Sequence, residues 1–215
     1  QYQYTMDLNT SFTGDDNLYV RLRSGNGDGD PSDGPFGTKT YGTYLVADSS
    51  KYADGLSVDK IWYQFPVGES NTFWFGPKIE NYYMHATAPS IYKPVLKQFT
   101  LGGNGAAYGA STKTGAGWAY QADNGFAISS NVVSGNNGLL TNQQPTSWAT
   151  QIGFTKPQYS ASLMINQKYN GWSDSYYSTA KGKLRANTAN STNYGLRAWW
   201  RPDDSGSATP SISAG

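Results

Sequence analysis

Residues 148–165, WATQIGFTKPQYSASLMI, alternate apolar and polar side chains on either side of a four-residue turn. Trp148, Ile152 and Phe154 lead into Thr155-Lys156-Pro157-Gln158, and Tyr159, Ala161, Leu163 and Ile165 lead out. A period of two places successive side chains on opposite faces of a strand. Two such runs around a short polar turn predict a β-hairpin.

The same unit recurs in both directions along the chain. Tyr2, Tyr4, Met6 and Leu8 precede a turn at Thr13-Gly14-Asp15-Asp16-Asn17, and Leu18, Val20 and Leu22 come after it. Ile61, Tyr63 and Phe65 are answered by Phe73, Phe75 and Pro77, and Ala116, Trp118 and Tyr120 by Phe126, Ile128 and Val132. Tyr194, Leu196, Ala198 and Trp200 run into a turn at Pro202, and a last strand begins near Thr209. The pattern predicts ten strands and no helix of comparable length. Connections within hairpins are short. Those between hairpins, at residues 24–59, 80–114, 133–147 and 169–193, are long. Short and long connections therefore alternate strictly.

Composition narrows the function. The 215 residues carry 16 Lys+Arg against 15 Asp+Glu, a net charge of +1, and charged residues are only 14%. A near-neutral chain without a basic block is a poor nucleic-acid binder. No cysteine is present, which removes disulfides, thiolate metal sites and cysteine nucleophiles. One histidine, His85, argues against a histidine-clustered metal site. No run of eighteen apolar residues offers a spanning helix. A transmembrane β-barrel is compatible with all of this, because its membrane signal hides in the period-two alternation. So is a soluble all-β sandwich that binds carbohydrate through exposed Trp and Tyr rings. The alternation of connection lengths favours the barrel, whose turns are short on one side and loops long on the other.

Several stretches carry a family resemblance. Leu8-Asn9-Thr10-Ser11-Phe12-Thr13-Gly14-Asp15-Asp16-Asn17-Leu18 with Arg21-Leu22-Arg23-Ser24-Gly25-Asn26 resembles a signature of cyanobacterial outer-membrane porins of the Som type, which are grouped with iron-uptake and carbohydrate-selective porins. Trp62-Tyr63-Gln64-Phe65-Pro66-Val67-Gly68-Glu69-Ser70, Phe75-Gly76-Pro77 and Ala88-Pro89-Ser90-Ile91-Tyr92 resemble it too. So do Leu196, Ala198, Trp199, Pro202, Ser205-Gly206 and the final Pro210-Ser211-Ile212-Ser213-Ala214-Gly215. The resemblance implies a sixteen-stranded transmembrane antiparallel β-barrel in the outer membrane of a cyanobacterium, in contact with lipid and lipopolysaccharide and assembled as a homotrimer. It also implies an N-terminal S-layer-homology domain that binds peptidoglycan-linked polymer. On that resemblance, the domain, the first strand and the closing strands are expected outside residues 1–215, and this stretch is expected to be a partial barrel domain.

The implied function is passive diffusion of small hydrophilic solutes and inorganic ions, with no catalysis, no cofactor and no metal. If the alternation holds, one face of each strand lines the pore. That face carries Asp7, Asn9, Arg21, Arg23, Gln64, Trp74, Lys78, Lys168, Arg197 and Arg201, together with Gln121, Ser129, Asn131, Gln151 and Asn166. Pairing centred on Asp15 sets Asp7 opposite Arg23 and Asn9 opposite Arg21. A wall with six basic side chains and one Asp biases a pore toward anions. The 80–114 connection, with Tyr82, Tyr83, His85, Tyr92, Lys93 and Lys97 and stiffened by Pro89 and Pro94, is the expected constriction loop.

Enzymatic readings are weak. The carboxylate pairs Asp15-Asp16 and Asp203-Asp204 sit in turns, where Asp serves the backbone, whereas a glycosidase needs two carboxyls converging across a cleft. Ser24-Gly25-Asn26-Gly27-Asp28-Gly29-Asp30 has the oxygen ligands and glycines of a calcium loop but lacks its closing Glu. It reads as an ordinary loop.

Overall fold

Each strand hydrogen-bonds the next in sequence, so the chain forms one antiparallel meander. The computed structural model describes residues 3–25, 55–88, 105–108, 112–135, 144–170, 190–202 and 212–215. The strands are β1 (Gln3–Thr10), β2 (Asn17–Gly25), β3 (Ser57–Val67), β4 (Asn71–Ile79), β5 (Lys113–Gln121), β6 (Phe126–Ser134), β7 (Thr146–Lys156), β8 (Tyr159–Tyr169), β9 (Ser191–Trp200) and β10 (Ile212–Ala214). Between β4 and β5 lie a 3-10 turn (Asn81–Met84) and a short helical turn α1 (Gly105–Tyr108). A sandwich divides its strands between two packed sheets; here all ten belong to a single sheet. Among the described residues β1 and β10 do not pair with each other, so the sheet is open.

The hairpin turns are built by local chemistry. Asp16 gathers the β1–β2 turn: its Oδ1 accepts from Ser11 Oγ (2.6 Å), Thr13 N (2.8 Å), Phe12 N (2.9 Å) and Thr13 Oγ1 (2.9 Å). Its other oxygen accepts from the Tyr63 hydroxyl of β3. The Ser11 and Tyr63 hydroxyls and the Thr13 amide hold this carboxyl well below the usual carboxylate range, because each donor favours the ionised form. Gly125 turns the β5–β6 hairpin at φ +96°, and a Cβ there would strike the Thr155 carbonyl. Glycine reaches such a φ without steric cost.

The β1–β2 register departs from the sequence expectation by two residues. Asp7 lies opposite Arg21, Asn9 opposite Tyr19 and Thr5 opposite Arg23. Gly14, at φ +99°, and the Asp16 knot centre the turn one residue earlier than Asp15. A slip of two leaves every side chain on its expected face.

The two faces are inverted relative to a water-soluble sheet. Paired Ile152, Leu163 and Leu196 form an apolar row on one face, here called the outer face because the β4–β5 connection covers the other, and Leu196 is 72% exposed. Its neighbour Arg197, on the other face, is 3% exposed. Ser129, Asn131, Ser147, Gln151 and Asn166 are buried on that polar face. Small apolar clusters there join the sheet to the covering chain: Met84 packs with Tyr19, Trp62, Trp74 and Ile79, and Tyr108 with Ala149 and Met164.

Candidate functional site

The β4–β5 connection begins by crossing onto the polar face. Glu80, the residue after β4, bonds the buried Lys60 amine of β3 and accepts from Thr112 Oγ1 at 2.5 Å, just before β5. One carboxylate thus ties together both ends of the connection. The Lys60 ammonium also lies 5.1 Å from the Tyr83 ring centroid and 5.7 Å from that of Tyr82, within cation–π range.

Beyond the 3-10 turn the polar face of the sheet binds the backbone of the segment directly. Thr87 N donates to Gln151 Oε1 (2.9 Å), and Gln151 Nε2 donates back to Thr87 O (3.0 Å). Ala86 N donates to Ser129 Oγ (3.1 Å), and Gln121 Nε2 donates to Ala86 O (2.7 Å). Side chains of β5, β6 and β7 thereby stand in for a neighbouring strand. Glycines make the room. A Cβ on Gly117 would lie 2.7 Å from Met84 Sδ, and one on Gly153 would collide with Thr87 Oγ1.

Deeper in the connection, α1 settles on β8 and β9. Asn166 Nδ2 donates to Ala107 O (2.9 Å), while its Oδ1 accepts from Ser147 Oγ (2.8 Å). The Tyr108 hydroxyl is 3.5 Å from Ser162 Oγ, and the Arg197 guanidinium stacks 4.3 Å from the Tyr108 ring centroid. Burial raises the Tyr108 phenol pKa, so this ring stays neutral beside the cation.

Gln151 supplies two of the four bonds on residues 86 and 87. At about 1 kcal/mol for each neutral hydrogen bond, Gln151→Ala is expected to weaken the docking of the segment by about 2 kcal/mol. Amide exchange at Thr87 should then rise roughly thirtyfold while β7 keeps its protection. Unchanged exchange at Thr87 would remove Gln151 from the clamp.

The expected wall residues divide into groups. Gln64 and Trp74 share the polar face, with Trp74 Nε1 donating to Gln64 Oε1 (2.9 Å). Asn9 accepts from Asn17 Nδ2 (3.0 Å) near the hairpin turn. Lys168 and Arg197 are buried on the same face. Arg201 comes directly after β9 and donates from Nε to the Pro157 carbonyl (2.7 Å) at the short-turn end. Lys78 is displaced. Its register partner is Ile61, an outer-face residue, because register shifts on either side of it break the alternation of β4, and its Nζ donates to Val58 O (2.8 Å). Of the expected constriction residues, His85 lies on the polar face, while Pro89, Tyr92, Lys93, Pro94 and Lys97 fall outside the described residues, as does the 26–30 part of the calcium-like loop.

Charge on the β1–β3 part of the wall is compensated rather than uniformly basic. Arg21 Nε lies 2.6 Å from Asp7 Oδ1, which also accepts from Tyr19 OH at 2.6 Å. Arg23 Nε lies 3.4 Å from Asp59 Oδ2, and Lys60 pairs with Glu80. Lys60 and Trp62 were legible as wall residues from the phase of Ile61, Tyr63 and Phe65, which alternate with them. Asp59 was not, since the register shift in the β2–β3 pairing moves it. Gly117 and Gly153 carried only the general hint that a strand glycine marks a close approach.

No known protein family, curated protein or solved structure matches this chain.

Proposed function

We propose that this chain forms the wall and the internal constriction of an outer-membrane porin, through which small hydrophilic solutes and inorganic ions diffuse passively. The carrying observation is the inverted polarity: Ile152, Leu163 and Leu196 face outward, while Ser129, Asn131, Gln151 and Asn166 are buried. In water that arrangement forfeits hydrophobic burial, which stabilises by about 25 cal/mol per Å². In a bilayer it satisfies both environments, apolar side chains toward lipid and polar ones toward a wet lumen.

Dimensions agree. β3, β7 and β8 have 11 residues each, about 36 Å at about 3.3 Å per residue. Tilted by about 45°, such a strand rises about 26 Å, close to the apolar band of roughly 25 Å on outer-membrane barrels. Aromatic rings gather where an interface girdle would lie. Phe12, Tyr63, Phe65 and Phe73 contact one another beside the short turns, as do Phe154 and Tyr159. Lipid tolerates no open strand edge, so this reading carries with it closure of the sheet beyond the ten strands, as in a sixteen-stranded, trimeric barrel. Residues 80–88 and α1 serve as the constriction. The paired charges on β1–β3 argue for a weaker anion preference than a uniformly basic wall would produce.

A carbohydrate-binding module would need its rings beside hydrogen-bonding groups in a cleft. The exposed rings of Tyr159, Tyr194 and Trp200 stand instead with Leu163, Ile165 and Leu196 on one face of the β8–β9 pair, which makes a lipid-facing band the better account. The test is single-channel recording of detergent-purified protein in planar bilayers. Discrete conductance steps and heat-modifiable gel mobility are expected; protein that is monodisperse in plain buffer and inserts no channels would overturn the reading.

A further inference from the structure

His85 sits where the covering segment, the wall and α1 meet. Its Nδ1 lies 3.1 Å from Asn131 Nδ2 on β6, and its Nε2 lies 3.3 Å from the Tyr108 carbonyl of α1. These two partners assign the ring. The Asn131 N–H needs Nδ1 as an acceptor, and the carbonyl needs Nε2–H as a donor, so the imidazole is neutral with its proton on Nε2. Asn131 is oriented in turn, because its Oδ1 accepts from Asn81 Nδ2 at 2.7 Å. One imidazole thus links the early part of the connection, the wall and the later part.

We propose that His85 is an acid-sensitive latch, and that proton uptake on its Nδ1 releases residues 81–88 and α1 from the polar face. For its consequence in transport this rests on the porin reading above; the latch itself does not. A proton on Nδ1 would set N–H against the N–H of Asn131. Asn131 can turn its carbonyl to the new N–H only in a concerted flip with Asn81, which gives up the 3.4 Å bond from Asn81 Nδ2 to the Ser147 carbonyl.

Of the groups around the ring, the Tyr108 carbonyl is the one that favours the charged form. The titratable and charged groups around it are Tyr108, which meets the His85 ring edge-on at 5.3 Å, and Arg197 stacked on Tyr108. Its own segment adds Tyr82 and Tyr83, and the carboxylate at the start of that segment, Glu80, is engaged by Lys60 and Thr112. Burial, aided by Arg197 and only partly opposed by the Tyr108 carbonyl, pushes the His85 pKa down to about 4, from 6.5 for a free histidine. Burial acts in this direction because it disfavours the charged form. A group with a depressed docked-state pKa favours docking while neutral. Docking is therefore complete above about pH 6.5, weakens by about tenfold per unit as pH falls from 6.5 toward 4, and reaches its minimum below about 4.

The chain contains one histidine, so its imidazole signal in an NMR spectrum of the micelle-bound protein is unambiguous. The expected result is the Nε2–H tautomer at pH 7 and a titration midpoint near 4. Protection of the Ala86 and Thr87 amides, corrected for intrinsic exchange, should fall more than about tenfold between pH 7 and pH 5 while β6–β8 stay protected. His85→Gln, which keeps one acceptor and one donor, should retain that protection at pH 5. A midpoint near 6.5, or protection at Ala86 and Thr87 unchanged across this range, overturns the latch, and the wild-type titration decides the matter even if the variant does not fold. Acid release without single-channel steps would support the latch and overturn the porin reading alone.

Discussion

On the porin reading, Leu163→Arg is expected to destabilise the protein in a lipid bilayer by about 2–4 kcal/mol, the cost of an arginine at the midplane of a barrel's lipid face. Leu163 is near the middle of β8, flanked on the outer face by Ile152 and Leu196. It is 41% exposed, so in water the same change should stay within about 0.5 kcal/mol, as surface substitutions usually do. The two environments thus predict effects that differ severalfold for one substitution. Equilibrium urea unfolding of wild type and variant in lipid vesicles measures it. A variant as stable in vesicles as the wild type would mean that this face does not meet hydrocarbon, and the porin reading would fall.

A second large effect is expected from filling the two glycine positions beneath the covering segment. In Gly117→Val/Gly153→Val, the new Cβ atoms fall on Met84 and Thr87, where the Gly117 Cβ position is already 2.7 Å from Met84 Sδ. The segment must lift, giving up the four backbone bonds at Ala86 and Thr87. At about 1 kcal/mol each, docking weakens by about 4 kcal/mol. The Gly117 Cβ also falls 2.7 Å from Asn131 Cβ on β6, so the strands must give slightly at that pair, while valine's preference over glycine in a sheet keeps them paired. Amide exchange should therefore rise at residues 86 and 87 and stay slow in β5 and β7. On the porin reading, single-channel conductance should rise as the lumen clears. Slow exchange at both residues in the folded variant would show that these glycines do not seat the segment.

Much of the architecture is carried by short-range pattern. The alternation around residues 155–158 and its counterparts specifies ten strands, their antiparallel order and the side chains that share a face, because a strand's period of two is a property of neighbouring residues alone. Turn chemistry places the hairpins for the same reason: Asp16 and Gly125 act within a few residues of themselves. The candidate site is legible only in outline. Gln151, Asn131 and His85 stand out as polar groups in a strand phase or a long connection, but nothing local tells that Gln151 clasps Thr87 across 64 positions.

Tertiary structure decides what depends on distant partners. The Tyr63 hydroxyl of β3 donates to Asp16 across 47 positions and so ties the β1–β2 turn to the next hairpin. Lys78 changes face because register shifts on either side of it fit β4 to both neighbours, and a single extra residue reverses the phase of the strand beyond it. The basic wall read from Arg21 and Arg23 becomes a compensated one, since Asp7 and Asp59 are brought to them only by strand pairing. The amino-acid sequence by itself determines strands, turns and, away from the register shifts in β3 and β4, the faces, which are settled between adjacent residues. Which polar groups find each other on the covered face is settled by register and by the fold of the β4–β5 connection, where one partner can lie dozens of residues from the other.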